Sequence, residues 1–155
     1  MSGNIAIGIQ DFSTIIQGNY FYIDKTPFIK EWWDCGDSAT LITRPRRFGK
    51  TLTMSMVEQF FSIDYAGRSD LFEHLAIWKE EKYRELQGTY PVISLSFARI
   101  KERDYEKTKQ KMCEVLRNIY IKFCYIKDSE KLTDADRAYY CLLYTSPSPR
   151  DSTSS

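Results

Sequence analysis

The strongest constraint on the fold is a short stretch in which an apolar segment, a basic turn and a helix follow one another. Residues 39–43, ATLIT, are apolar and β-branched, which is typical of a buried strand. The turn RPRRFG follows, and residues 50–61 then carry apolar side chains at helical spacing. Backbone amides at such a helix N-terminus can bind an anion, helped by the helix dipole. The order therefore predicts a phosphate-binding loop.

The residues of this turn predict which ligand it binds. Gly49, Lys50 and Thr51 match the end of the G-x-x-x-x-G-K-[ST] phosphate loop, although Arg44 stands at the first glycine position. Gly49 lets the backbone approach the phosphates, Lys50 brings an ammonium to the β- and γ-phosphates, and Thr51 offers a hydroxyl to Mg²⁺. Lys50 is thus the predicted catalytic residue and Thr51 the predicted metal ligand. The predicted nucleotide-binding residues are Arg46, Arg47, Phe48, Gly49, Lys50 and Thr51.

The rest of the chain predicts an α/β fold. Residues 90–97, YPVISLSF, form a second strand candidate, and residues 104–126 carry an apolar stripe at intervals of three and four. Shorter helices are predicted at 11–18, at 26–36, at 80–88 and from Thr133 onward. Strands that alternate with helices are typical of a layered fold with parallel strands, covered on both faces.

Six segments between residues 5 and 125 occur in a recognisable order: IGIQDF (7–12), YIDKT (22–26), LITRPRRFGKT (41–51), FF (60–61), LF (71–72) and YPVISLSF (90–97). Together they resemble the AAA-ATPase-like domain of bacterial proteins, many of which carry a PD-(D/E)XK nuclease-like region C-terminally. The resemblance implies a P-loop NTPase three-layer fold that is incomplete here, with ATP and Mg²⁺ as ligands. Members of that family commonly carry arginine at the position of Arg44. Asp24-Lys25-Thr26 is one of its signatures, without a chemical role that can be derived from sequence.

Family members also supply a later acidic segment, an apolar strand that ends in Asp-Glu-Tyr-Asp, and nothing in this sequence matches it. Asp134 and Asp136 follow Thr133 and are expected to cap a helix. Without the acidic pair no group orients the attacking water. We therefore expect residues 1–140 to be the N-terminal part of an ATPase domain, inactive alone, whose parent protein hydrolyses ATP to move an attached domain. The two strands would lie apart with open edges or pair with each other, and we expect poor stability.

Residues 141–155, CLLYTSPSPRDSTSS, differ from the rest of the chain in composition. Five serines, two threonines and two prolines are typical of a disordered segment. Residues 141–151 also correspond to one reading frame of a transposase adapter used in sequencing libraries. We therefore expect this tail to be non-native.

Charge and cysteine content exclude other classes. The 22 Lys and Arg residues nearly balance the 21 Asp and Glu residues, so no overall field favours nucleic acid or a membrane. No apolar run approaches the roughly 18 residues that span a bilayer, which favours a cytoplasmic protein. The four cysteines form no C-x-x-C pair, and the single histidine, His74, cannot complete a zinc site, so buried reduced thiols are expected.

Two other functions stay open at this point. The chain could be a switch module without turnover, in which Arg44, Arg46 and Arg47 contact the phosphates of a nucleotide or a nucleic acid. It could also be an interaction domain whose loop only resembles the phosphate-binding motif. In the ATPase interpretation, nucleic acid would be contacted through a C-terminal nuclease-like region. The sequence does not determine the oligomeric state. The tryptophans are expected to pack in the core instead of stacking on bases.

Overall fold

A computed structural model of the chain describes residues 5, 8–43, 45, 48–98, 100–101 and 103–145. The chain divides into two compact units, residues 1–92 and residues 93–155. Each unit is described by itself. The predicted phosphate-binding loop belongs to the first unit.

The described residues of the first unit form four α-helices: α1 (Phe12–Gln17), α2 (Pro27–Cys35), α3 (Lys50–Phe61) and α4 (Glu81–Arg84). Three 3-10 helices cover Ile63–Tyr65, Ser69–Leu71 and Ala76–Lys79. The first three α-helices confirm the sequence predictions, whereas α4 is much shorter than the helix predicted at 80–88. The chain leaves α1 through Asn19, whose φ of 50° lies in the left-handed region, whereas the φ of Gly18 is −76°.

Aromatic side chains form the centre of the first unit. Phe72 stacks on Phe12 and meets Phe60 edge-on, with ring centroids 5.1 Å apart in both pairs. Trp33 stacks on Phe61 at 5.3 Å, and Trp32 meets the same ring at 5.7 Å. These two contacts confirm that Trp32 and Trp33 pack against the core. The buried apolar residues of this unit are Phe12, Ile15, Ile29, Met56, Phe60, Phe61, Leu71, Phe72, Ile77 and Tyr83.

The predicted α/β three-layer fold with parallel strands is wrong. Within the described residues the regular elements are all helical, and the only β pairing is one isolated parallel bridge between Ser62 and Tyr90. Residues 39–43 and 91–97 have no ladder partner there, and Leu41 and Ile93 are 85% and 62% exposed. Apolar β-branched composition is only a propensity, because a strand is stabilised by the strand beside it.

The isolated bridge joins the end of α3 to the beginning of the second strand candidate. Ile63 N donates to the Tyr90 carbonyl at 2.9 Å, and Tyr90 N donates to the Phe61 carbonyl at 2.9 Å. Gly88, at φ of 67°, approaches Ala66 so closely that a Cβ atom would lie 2.5 Å from the Ala66 Cα. A glycine is therefore required where the chain turns back toward α3.

The second unit contains α5 (Tyr105–Lys122), a 3-10 helix (Cys124–Asp128) and α6 (Asp134–Thr145). Asp104 caps α5 by accepting a hydrogen bond from Glu106 N at 3.1 Å. The predicted helix over residues 104–126 is shorter, because α5 ends at Lys122 and a 3-10 helix follows. Two residues of the apolar stripe, Met112 and Leu116, are 40% and 43% exposed. The predicted boundary at residue 140 falls inside α6, and residues 146–155 lie outside the described part of the chain. The non-native origin of the tail stays a prediction.

Candidate phosphate-binding site

The predicted loop leads directly into helix α3. Gly49 is the N-cap residue, and its carbonyl accepts the first intrahelical hydrogen bonds, from Thr53 N at 2.9 Å and from Thr53 Oγ1 at 3.0 Å. The first amides of a helix have no acceptor in the preceding turn, so they face outward from its N-terminus. Three predicted residues of this loop, Arg44, Arg46 and Arg47, lie outside the described residues.

Gly49 adopts a backbone conformation that other residues rarely take. Its φ is 71° and its ψ is 25°, in the left-handed region. A Cβ atom at this position would lie 2.9 Å from the Lys25 Nζ atom. Glycine is thus favoured by its backbone angle, and the lysine side chain lies directly beside it.

Lys50 and Thr51 are the first two residues of α3, and both are exposed. Phe48, just before Gly49, is 57% exposed. A cation and a hydroxyl therefore stand together at the positive end of a helix of 12 residues. The structure brings these predicted residues to one end of α3, and it leaves their chemical roles as predictions.

The Asp24-Lys25-Thr26 segment forms a clamp on the 3-10 helix Ala76–Lys79. Asp24 Oδ1 accepts hydrogen bonds from Thr26 N at 2.8 Å and from Thr26 Oγ1 at 2.7 Å. The other carboxylate oxygen, Oδ2, accepts one from Ala76 N at 2.7 Å. Thr26, which is fully buried, accepts one from Ile77 N at 3.1 Å through its hydroxyl. We refer to these bonds of Asp24 and Thr26 as the Asp24–Thr26 clamp.

Between the two residues of the clamp, Lys25 points to the predicted loop. Its ammonium donates a hydrogen bond to the Phe48 carbonyl at 3.4 Å, across 23 positions of sequence. The backbone of Lys25 is held as well, since its amide donates to the Tyr22 hydroxyl at 3.3 Å. That hydroxyl donates in turn to Met56 Sδ at 3.3 Å, and burial raises the pKa of Tyr22 to about 12.

Asp11 connects α1 to α3 by hydrogen bonds. Its Oδ2 atom caps α1 by accepting from Thr14 N at 2.8 Å, and its Oδ1 atom accepts from Gln59 Nε2 at 2.6 Å. Partial burial by itself would raise the pKa of Asp11, but hydrogen bonds from Ser13, Thr14 and Gln59 outweigh burial and hold this pKa below its usual value. The carboxylate thus links α1 to α3 through its two oxygens.

Three of the cysteines and His74 lie at the surface. Cys35, Cys113 and Cys124 are exposed, so the expectation of buried thiols is wrong for these three, and His74 is exposed as well. Within the described ranges no three His, Cys, Asp or Glu side chains are grouped as a metal site would need. No described helix has the length and apolar content to cross a bilayer.

Sequence reasoning missed Lys25 as a residue of this site. The signal was present in the resemblance, because Asp24-Lys25-Thr26 is part of it, but no local rule relates residue 25 to a loop at residue 48. The local sequence does not show the role of Thr26 either. This residue precedes Pro27 at the start of α2 but makes no capping hydrogen bond there, since its hydroxyl is used by the clamp.

A basic loop at the N-terminus of a helix, with glycine, lysine and threonine in sequence, is typical of the P-loop class of ATPases. Residues 6–148 match the model of the AAA-ATPase-like family, described as predicted AAA-ATPases. The chain therefore belongs to this family.

The chain is also similar to a curated protein of Azotobacter chroococcum mcd 1, named as an uncharacterized protein in the vnfD 5′ region. The two are 33% identical over 113 residues, which is 72% of this chain and 20% of the relative. The chain thus spans about a fifth of the length of that relative. No solved structure matches the present chain.

Proposed function

We propose that the chain binds ATP together with Mg²⁺ at the loop that precedes α3. The observation that carries the proposal is the junction at Gly49, where a left-handed glycine places Lys50 and Thr51 in the exposed first turn of the helix. Membership of a family described as predicted AAA-ATPases supports the choice of ATP over other phosphate compounds.

Each residue has a distinct role in this proposal. The amides from residue 46 to Thr51 hold phosphate oxygens, as amides at a helix N-terminus do. Lys50 neutralises charge on the phosphoryl group that is transferred, and Thr51 binds the metal through its hydroxyl. The absence of a side chain at Gly49 keeps the cradle open, since a Cβ atom there would fill space next to Lys25. Mg²⁺, when bound, would be held by the Thr51 hydroxyl and would offset the charge of the phosphates.

Hydrolysis is proposed for a protein of the relative's length and not for these 155 residues. The sequence lacks the acidic segment of the family. Asp24, the nearest acid in sequence to Lys25, has both oxygens engaged in the clamp. We propose that ATP binding and hydrolysis in the longer protein move an attached domain, and that this protein is cytoplasmic.

Isothermal titration of ATP and Mg²⁺ into the 155-residue chain tests the binding proposal. We expect Lys50→Ala to weaken ATP binding about tenfold to a hundredfold, because a hydrogen bond to a charged group contributes roughly 1.5–3 kcal/mol. The matched control is Lys79→Ala, an exposed lysine at the end of the 3-10 helix Ala76–Lys79. Equal affinity of Lys50→Ala and the unchanged chain would exclude the proposed role.

The same titrations separate ATP binding from the switch-module alternative. If ATP, ADP and short single-stranded DNA bind with similar affinity and a steep dependence on salt, the loop binds phosphate without selecting a triphosphate. If ATP binds more tightly than AMP and Mg²⁺ strengthens it, the proposal stands. A Thr51→Val variant should lose most of the Mg²⁺ effect while it keeps binding in EDTA.

A further inference from the structure

We propose that Lys25 is a second cation of the phosphate loop, positioned by the Asp24–Thr26 clamp to contact the phosphate chain of the bound nucleotide. This inference rests on the proposed function and gives a role to the Asp24-Lys25-Thr26 segment. It concerns a residue that lies 23 positions before the loop, on a different element.

The first argument is position. The Lys25 ammonium lies within hydrogen-bond distance of the Phe48 carbonyl, at 3.4 Å, and 2.9 Å from the point where a Gly49 Cβ would stand. It is therefore beside Phe48 and Gly49, the last two residues before the first amides of α3. A phosphate bound by those amides would lie within reach of this flexible side chain.

The second argument is charge. The Lys25 ammonium brings a positive charge beside the loop, and a positive charge with no acid next to it attracts a bound anion. Among the described residues no acid forms an ion pair with Lys25, whereas Lys30, Arg68 and Lys82 pair with Glu80, Asp70 and Asp34. The oxygens of the adjacent Asp24 are bonded to Thr26 and Ala76 instead. A carbonyl at 3.4 Å is a weak acceptor for an ammonium, and an anion is a stronger one.

The third argument is preorganisation. Asp24 and Thr26 are bonded to consecutive amides of the 3-10 helix Ala76–Lys79, so the backbone on both sides of Lys25 is fixed. The Lys25 amide and carbonyl are also bonded, to the Tyr22 hydroxyl and to Phe28 N at 3.0 Å. Only the side chain is left to adjust when a ligand binds. Fixing the backbone in advance lowers the entropic cost of such a contact.

The experiment compares Lys25→Met, which keeps the length of the side chain and removes its charge, with Lys25→Arg and with the control Lys79→Met. ATP, ADP and AMP are titrated into each variant of the 155-residue chain. We expect Lys25→Met to weaken ATP binding about tenfold to a hundredfold and to change AMP binding less than threefold. Lys25→Arg should recover most of the ATP affinity, and Lys79→Met should behave as the unchanged chain.

Thermal unfolding without nucleotide shows whether the substitution acts on stability. The ammonium makes one long hydrogen bond at an exposed position, so the Tm of Lys25→Met should stay within about 2 °C of the unchanged chain. If the Tm falls by several degrees and binding of ATP and AMP weakens equally, Lys25 is only structural and the inference is wrong.

Two further outcomes separate this inference from the proposed function. If Lys50→Ala loses ATP and Lys25→Met binds it within threefold of the unchanged chain, ATP binding stands and the role of Lys25 is excluded. If the folded, unchanged chain binds none of the three nucleotides, the proposed function fails and this inference fails with it.

Discussion

Helices α3 and α5 carry similar apolar stripes but differ in what those stripes contact. In the first unit α3 buries Met56, Gln59, Phe60 and Phe61. In the second unit α5 is half as long again, 18 residues against 12, and buries none of its side chains. Periodicity therefore predicts that a helix forms, whereas burial depends on which elements lie against it. The candidate site is built on the helix that has a core beneath it.

The largest difference is expected when one apolar side chain is removed from each helix. Phe60→Ala should destabilise the first unit by about 3–5 kcal/mol, because Phe60 is fully buried against Phe61 and Phe72. Leu116→Ala on α5, where the side chain is 43% exposed, should cost about 1 kcal/mol or less. Urea unfolding followed by tryptophan fluorescence reports the first unit, which holds all three tryptophans. Hydrogen exchange of the α5 amides reports the second unit. Similar losses in the free energy of unfolding for the two variants would contradict the difference between α3 and α5.

A smaller difference is expected for two threonines. Thr26→Val leaves the buried Ile77 amide without its acceptor, which should cost the first unit about 1–3 kcal/mol in the free energy of unfolding. The matched change in the second unit is Thr108→Val, which removes a bond from Oγ1 to the Asp104 carbonyl at 2.9 Å within one helix. That loss should stay below about 0.5 kcal/mol. Urea midpoints and exchange rates again measure both, and a harmless Thr26→Val would show that the clamp does not stabilise the unit.

The smallest effect is expected for the stability of the first unit at alkaline pH. Burial raises the pKa of Tyr22 to about 12 in the folded chain, above the usual value of 10. The folded state therefore favours the neutral phenol, and the resulting stability is complete below about pH 10 and is lost as the pH rises toward 12. Tryptophan-monitored urea midpoints at pH 9 and pH 11 should differ less in Tyr22→Phe than in the unchanged chain. An identical pH dependence in both proteins would show that Tyr22 does not cause it.

The sequence could predict what depends on nearby residues. The bounds of α1, α2 and α3 follow from Asp11, Pro27 and Gly49, each of which acts within one turn of the helix that it starts. The loop and its glycine were predictable for the same reason. Whether residues 39–43 and 90–97 form strands was not predictable. Neither segment can form a ladder without a neighbouring strand, and composition does not say whether one is present.

The position of Lys25 at the loop was beyond sequence reasoning for a related cause. It depends on the Asp24–Thr26 clamp, whose partners Ala76 and Ile77 are about fifty positions away. Thr26 has the residue type and position of a helix cap, but its hydroxyl serves a distant amide instead. Contacts at such separation are set by packing and not by local preference.

The exposed thiols of Cys35, Cys113 and Cys124 give the chain natural attachment points for spin labels. Cys35 belongs to the first unit, and the other two belong to the second. With serine at positions 124 and 141, a label on Cys35 and one on Cys113 would report the separation of the two units by pulsed electron resonance. The same pair of labels, read before and after adding ATP, would show whether a ligand at one end of α3 changes that separation.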